Sequence, residues 1–184
     1  MPALDYPSHL VEDWQLRDGT PVRIRPIRAD DLEMHTVFVA GLSSETAYHR
    51  LLSPRKPQPD ELWRWTHIDY DHELALIATT EVDGMEQQMG VVRYVRGDTP
   101  ETVHIAEFAV VIADAWQRHG LAARLMRKLI DAAAQAGVKQ LADITLYDNT
   151  AMLALARKLG FRLQRDAGNP NVTRLRLTLD PAPD

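Results

Sequence analysis

Gln117-Arg118-His119-Gly120-Leu121-Ala122 joins an apolar stretch to an amphipathic one, and residues of these types in this order can build an anion site. The first N–H groups of a helix have no internal partners, and the helix dipole adds positive potential at that end. Gly120 has no side chain, so a phosphate can approach the backbone closely, and Arg118 adds a cation beside it. On the hexapeptide alone a plain strand-to-helix connection is an equal reading. The sequence contains no G-x-x-x-x-G-K-[ST] and no G-x-G-x-x-G, so the common nucleotide loops do not fit.

Glu107 interrupts the apolar run Val103 to Ile112. A carboxylate desolvated there would titrate in the range a general base needs. The alternatives are a Glu107 that faces solvent or pairs with Arg93 or Arg96. His67, Asp69, Asp71, His72 and Glu73 cluster among seven histidines, but their spacing on a loop leading into a strand does not suit a tetrahedral metal site, and none is predicted. Asp69 or Glu73 could instead bind a cation. Trp63 and Trp65 read as core or as the wall of a groove, and Arg50, Arg55 and Lys56 as a basic loop or a phosphate contact.

These residues sit in a chain of 184 residues with 45% apolar and 26% charged side chains, enough for one soluble domain with a sizeable core. The absence of cysteine excludes a disulfide scaffold, a thiolate zinc site and a cysteine nucleophile. The start, Met1-Pro2-Ala3-Leu4-Asp5-Tyr6, has no basic region followed by an apolar run, so no secretory signal is expected and the cytoplasm is the expected compartment. No apolar stretch is long enough to span a bilayer. A net charge of −5 speaks against a general nucleic-acid binder and suits a cationic substrate.

Periodicity supplies the elements. Strands are expected at Pro21–Pro26, Glu73–Val82, Met89–Arg96, Thr102–Ile112, Gln140–Tyr147, Phe161–Arg165 and Val172–Leu179. Helices are expected from Ala29 to Gly41, Ser43 to Leu52, Asp60 to Ile68, Arg118 to Ala136 and Asn149 to Gly160. The fourth carries the stripe Leu121, Leu125, Leu129 opposite Arg124, Arg127, Lys128 and Asp131. The order predicts an α/β (α+β) fold with a mixed sheet and helices on both faces.

Gln117-x-x-Gly120-x-Ala122 resembles the Q/R-x-x-G-x-G/A signature of the GNAT superfamily of acyl-CoA-dependent N-acyltransferases. Asn149-Thr150-Ala151-Met152 followed by Lys158-Leu159-Gly160-Phe161 is similar to a second segment of that family, at a matching separation. The resemblance runs from about Gly19 to Leu179. It implies a mostly antiparallel seven-strand sheet splayed at its middle, with residues 1–18 an N-terminal extension, 19–180 the acyltransferase domain and 181–184 a tail. A narrower likeness, carried by Leu42–Pro54, Ile68–Asp71 and Ala106–Val110, is to the acyltransferase domain of bacterial Pat-type protein-lysine acetyltransferases. That domain is often attached to a large acyl-CoA-synthetase-like region or a nucleotide sensor, for which this chain has no room.

The resemblance implies acetyl-CoA as co-substrate, no metal, and a primary amine, first of all a protein lysine, as acceptor. It places backbone groups of Val110, Val111 and Ile112 along the pantetheine. Gln117, Arg118, His119, Gly120, Leu121, Ala122 and Ala123 lie around the pyrophosphate, and Asn149 and Met152 on the opposite wall. An amine titrating near about 10.4 must lose a proton before it attacks, so Glu107 becomes the expected general base and the Val110 N–H the expected oxyanion donor. Two positions depart from the family. Its tyrosine acid, seven residues after the asparagine, falls on Ala156, and its alternative glutamate base, five before, falls on Ile144. Water or Tyr147 would then supply any acid. No membrane or nucleic-acid partner is implied, and the oligomeric state stays open, with a homodimer one option. A non-catalytic acetyl-CoA sensor and an acyltransferase for a small-molecule amine are the rival readings.

Overall fold

The computed structural model describes residues 6–179. The readings made on Met1–Asp5 and on the tail 181–184 lie outside the described residues.

Glu73–Val82 (β3) is buried at every position from Glu73 to Thr80, which marks it as a central strand covered on both faces. Around it one sheet forms from β1 (Glu12–Gln15), β2 (Pro21–Pro26), β3, β4 (Met85–Arg96), β5 (Ile105–Ile112), β6 (Gln140–Leu146), β8 (Val172–Thr178) and β7 (Arg162–Arg165), in that spatial order. Every neighbouring pair is antiparallel except β5 and β6.

The sheet therefore has eight strands rather than the expected seven. The additional strand, β1, falls in the stretch read as an extension and pairs Trp14 with Val22. Its Glu12 reaches Arg124 and Lys128, the latter at 2.9 Å, which ties this edge to the helix beneath.

One face packs α4 (Leu121–Gln135) and α5 (Thr150–Lys158) on Leu74, Leu76, Val92, Phe108 and Leu141. Leu121, Leu125 and Leu129 are the buried stripe of α4 while Arg127 and Asp131 face solvent, as the period of 3.6 requires. α1 (Leu32–Ala40), α2 (Ser44–Leu51) and α3 (Pro59–Thr66) are the remaining helices, and Phe38, Met34 and Ile68 pack on the other face against Ala75, Ile77 and Val91. Buried Arg25 is held by Asp31 through two bonds of 2.7 Å, so Asp31 anchors the start of α1 rather than merely complementing its dipole.

Boundaries shift where local bonds compete. β5 starts at Ile105 instead of Thr102, because Thr99 and Thr102 close a turn through backbone and hydroxyl bonds. α4 starts at Leu121 instead of Arg118, because Arg118 and Gly120 have φ of 64° and 81°, outside the helical region.

Candidate functional site

The parallel pairing of β5 with β6 lasts three rungs, ending at Glu107 opposite Ala142. Beyond it the two strands diverge, and a cleft of about 920 Å³ opens between Glu107–Ile112 on one side and Asp143–Thr145 with Asp148–Met152 on the other. α2 and the loop before α4 complete its walls.

The backbone of β5 is available along this fork. Ala113 donates its N–H to Met89 of β4 and Ile105 accepts from Gly97 on the same side. Alternation along a strand then turns Val111 and Ala109 towards β4, and Val110 and Ile112 towards the cleft. Of the three backbone positions expected to meet the pantetheine, Val110 and Ile112 face the cleft. Val111 gives its backbone groups to β4 and contributes only its side of the wall. The Ile112 carbonyl also accepts the Gln117 amide at 3.1 Å, which pins the loop to the strand end.

At the loop the first helical bond of α4 runs from the Arg124 N–H to the Gly120 carbonyl at 3.2 Å. The N–H groups of Leu121, Ala122 and Ala123 have no acceptor within the helix. Two left-handed residues, Arg118 and Gly120, curl the backbone ahead of them, the geometry of an anion-binding nest. A Cβ at Gly120 would meet nothing within 4 Å, so the space over this turn is open to a ligand. Gln117, Arg118, Gly120, Leu121, Ala122 and Ala123 all line the cleft. His119 does not; it lies against Trp116 at 6.3 Å between ring centroids.

Asp114 braces the loop. Its carboxylate accepts the Ser43 N–H at 2.9 Å, the Ser43 hydroxyl at 2.7 Å and the Thr46 hydroxyl at 2.8 Å. Ser43 is also the N-cap of α2.

Glu107 lines the cleft but is exposed, so the burial expected of it is absent. Neither Arg93 nor Arg96 holds it: Arg93 donates to the Trp65 carbonyl at 2.7 Å and Arg96 to the Ala136 carbonyl. The carboxyl with the displaced titration is its neighbour across the fork. Burial pushes Asp143 up to about 6, and the charge of Glu107 adds to the effect against the Ile144 N–H and Arg50. Sequence reasoning missed Asp143, although an acidic residue breaking Leu141-Ala142-Asp143-Ile144 is the same signal that singled out Glu107.

Asn149 lines the cleft, yet its side chain is engaged locally. Its Oδ1 accepts the Met152 N–H at 3.1 Å as the cap of α5, and its Nδ2 donates to the Thr145 hydroxyl at 3.3 Å. Met152 lies beside it on the same wall. Ala156 is buried in the core, and Tyr147 is 56% exposed and outside the cleft lining, so neither brings a phenol to the fork.

Other candidates separate. Trp65 lines the cleft, whereas Trp63 is exposed and stacks on His67 at 3.9 Å. Glu73 is buried and held by Arg64 at 2.6 Å, which removes it as an acceptor-side anion. Arg55 is paired with Glu61 at 2.6 Å. Arg50 lies over Trp65 rather than at the loop.

Residues 42–161 match the family described as Acetyltransferase (GNAT). An acetyltransferase of Pseudomonas aeruginosa is 37% identical over 173 residues, covering 94% of this chain and 90% of that one. The acetyltransferase Pat of Mycolicibacterium smegmatis is 32% identical over 146 residues, which are 79% of this chain but 43% of that protein. Among solved structures, the GNAT domain of S. lividans PAT superposes with a TM-score of 0.84 at 30% identity, covering 95% of this chain and all of that one.

Proposed function

The chain belongs to the acetyltransferase (GNAT) family and acetyl-CoA is its co-substrate, and from that premise we propose that it acetylates a primary amine, a protein lysine, in the cytoplasm with Glu107 as general base. The observation that carries the reading is the junction of two features in one cleft: the free backbone edge of β5 beyond Glu107 and the unpaired N–H groups opening α4.

The residues fit the co-substrate. Leu121, Ala122 and Ala123 offer N–H groups to a pyrophosphate, with Arg118 adding charge. Val110 and Ile112 offer strand-like bonds to the amide groups of the pantetheine. The thioester then lies towards the fork, within reach of the acceptor and Glu107.

A lysine ammonium brought to Glu107 loses its proton to the carboxylate. The amine nitrogen bonds to the thioester carbonyl carbon, the Val110 N–H donates to the oxygen as charge gathers on it, and the C–S bond breaks. As that bond breaks the nitrogen gives up its second proton, which passes through water to the departing thiolate, so the products are the amide and CoA thiol. Thiols titrate near about 8.5, so the thiolate leaves without a strong acid, consistent with Ala156 at the position of the family tyrosine.

Protein lysine as acceptor rests on the likeness to Pat. The chain spans less than half of that protein, so the acceptor of the whole protein is not transferred with the fold. Among the described residues no helix is long and apolar enough to cross a membrane. The test is CoA release from acetyl-CoA against a panel of lysine peptides and small amines. Release with amines that disappears in Glu107→Gln supports the reading, and no release with any amine overturns it.

A further inference from the structure

Arg50, near the end of α2, and Arg93, on β4, flank the indole of Trp65 with guanidinium carbons 5.5 Å and 6.0 Å from its ring centre. All three line the cleft together with Glu107 and Asp143. Arg93 is opposite Ala109 in register, two positions past Glu107, so the pair stands at the fork and not at the phosphate loop. Burial depresses both guanidiniums, Arg93 to about 10 with Arg50 adding to the effect. Both remain charged at neutral pH.

Two partly buried cations side by side are costly without an anion, and among the described residues no carboxylate is in ion-pair contact with either. Arg50 makes no hydrogen bond or ion pair among the described residues, and Arg93 makes one, to the Trp65 carbonyl at 2.7 Å. Asp143, whose charge acts on Arg50, takes its hydrogen bond from the Ile144 N–H at 2.8 Å. Glu73, whose charge acts on Arg93, is held by Arg64 at 2.6 Å. His35, which meets Trp65 edge-on at 6.2 Å, donates from Nδ1 to the Gln88 Oε1 at 3.1 Å and carries no acid group. Most of the ten guanidinium N–H donors are left for a ligand.

We propose that Arg50 and Arg93 form a carboxylate subsite, so that the acceptor is a primary amine accompanied by a carboxylate. The inference rests on the acetyltransferase reading of the cleft and names its acceptor. Charge is arranged for such a molecule: Glu107 and Asp143 face the ammonium end, and the arginine pair faces the anionic end. Guanidinium forks match a carboxylate in shape as well as sign, and the face of Trp65 holds them in place. The carboxylate could belong to a free amino acid or to an acidic side chain beside a lysine, and the chemistry is shared.

The experiment is calorimetric titration of the CoA-saturated protein, which needs no turnover. One series compares Nα-acetyl-lysine with its methyl amide. The other compares two lysine peptides that differ by Glu or Gln next to the lysine. The parent is expected to bind the carboxylate member at least ~10-fold more tightly, the scale of a charge-assisted bond. That preference should collapse in Arg50→Met and Arg93→Met and survive in part in Arg50→Lys. Preference in the first series alone assigns a free amino acid, and in the second alone an acidic neighbour.

Equal binding of both members, or no binding, in both series of the parent overturns the proposal. So does an Arg50→Met variant that loses affinity for CoA itself while keeping the carboxylate preference. A carboxylate preference with no CoA release from acetyl-CoA on any amine would instead remove the transferase reading and leave the subsite standing.

Discussion

Glu107 stands opposite Ala142 on the last rung that joins β5 to β6. Its place at the point of divergence is what gives a carboxylate in the middle of an eight-strand sheet access to a cleft. One residue earlier, Ala106 is fully buried against Leu141 and belongs to the core. One rung of pairing thus separates a packing position from a chemical one.

If Glu107 takes the proton, Glu107→Gln should lower the rate of CoA release ~100-fold or more, the range for loss of a general base. Acetyl-CoA affinity should be nearly unchanged, since the loop and the β5 backbone are untouched. Pre-steady-state release and calorimetry read the two quantities separately. A variant with parental rate at neutral pH would pass the role to Asp143.

Gly120 separates shape from charge at the loop. Its φ of 81° costs an L-residue ~1–2 kcal/mol, while an added Cβ meets open space. Gly120→Ala should therefore keep measurable acetyl-CoA binding, and Gly120→Glu, which sets a carboxylate in the anion nest, should lose at least ~10-fold more. Equal affinities for the two variants would show that no phosphate sits over this turn.

Asp114 couples α2 to that loop through three bonds to Ser43 and Thr46. Asp114→Ala removes the acceptor for all of them, and a destabilisation of ~1–2 kcal/mol is expected, with a higher dissociation constant for acetyl-CoA because Thr46 also receives the Gln117 amide at 3.2 Å. Thermal melts and calorimetry on one preparation check both. An unchanged melting temperature would make the brace incidental.

The parts legible in the sequence are those whose signal is local. The apolar stripe of α4 and the Gln117–Ala122 turn announce themselves within one window, and the helix differs from expectation only at its ends, starting at Leu121 after the left-handed turn and stopping at Gln135. The fork is implied only by the family resemblance and not by any local pattern, because where two strands stop pairing depends on contacts between segments more than thirty residues apart. No local window shows that Arg50, Trp65 and Arg93 meet, since they lie on three separate elements. β1 escaped because four residues with half-buried Trp14 give too short an alternation to read.

Two groups with displaced titration should leave opposite marks on stability. Asp143 titrates at about 6 instead of 3.8, so between those values the native state keeps a proton the unfolded chain has released. Stability therefore falls with rising pH across that window. His35 titrates at about 4 instead of 6.5, chiefly through burial. There the unfolded chain holds the extra proton, and stability rises with pH until about 6.5 and is lost as pH falls through 4. The two slopes oppose each other in the parent. In Asp143→Asn the falling slope is gone, so its melting temperature relative to the parent should climb from pH 4 to pH 6 and then level off, at a gain of at most ~3 kcal/mol by the linkage constant. In His35→Gln the difference from the parent should be largest above pH 6.5 and shrink in acid. Melts of the three proteins from pH 4 to pH 8 measure both differences, with other titrating groups cancelling between variant and parent. An Asp143→Asn difference that stays constant with pH would place the Asp143 carboxylate in ordinary contact with solvent, and the raised value at the fork would have to be abandoned.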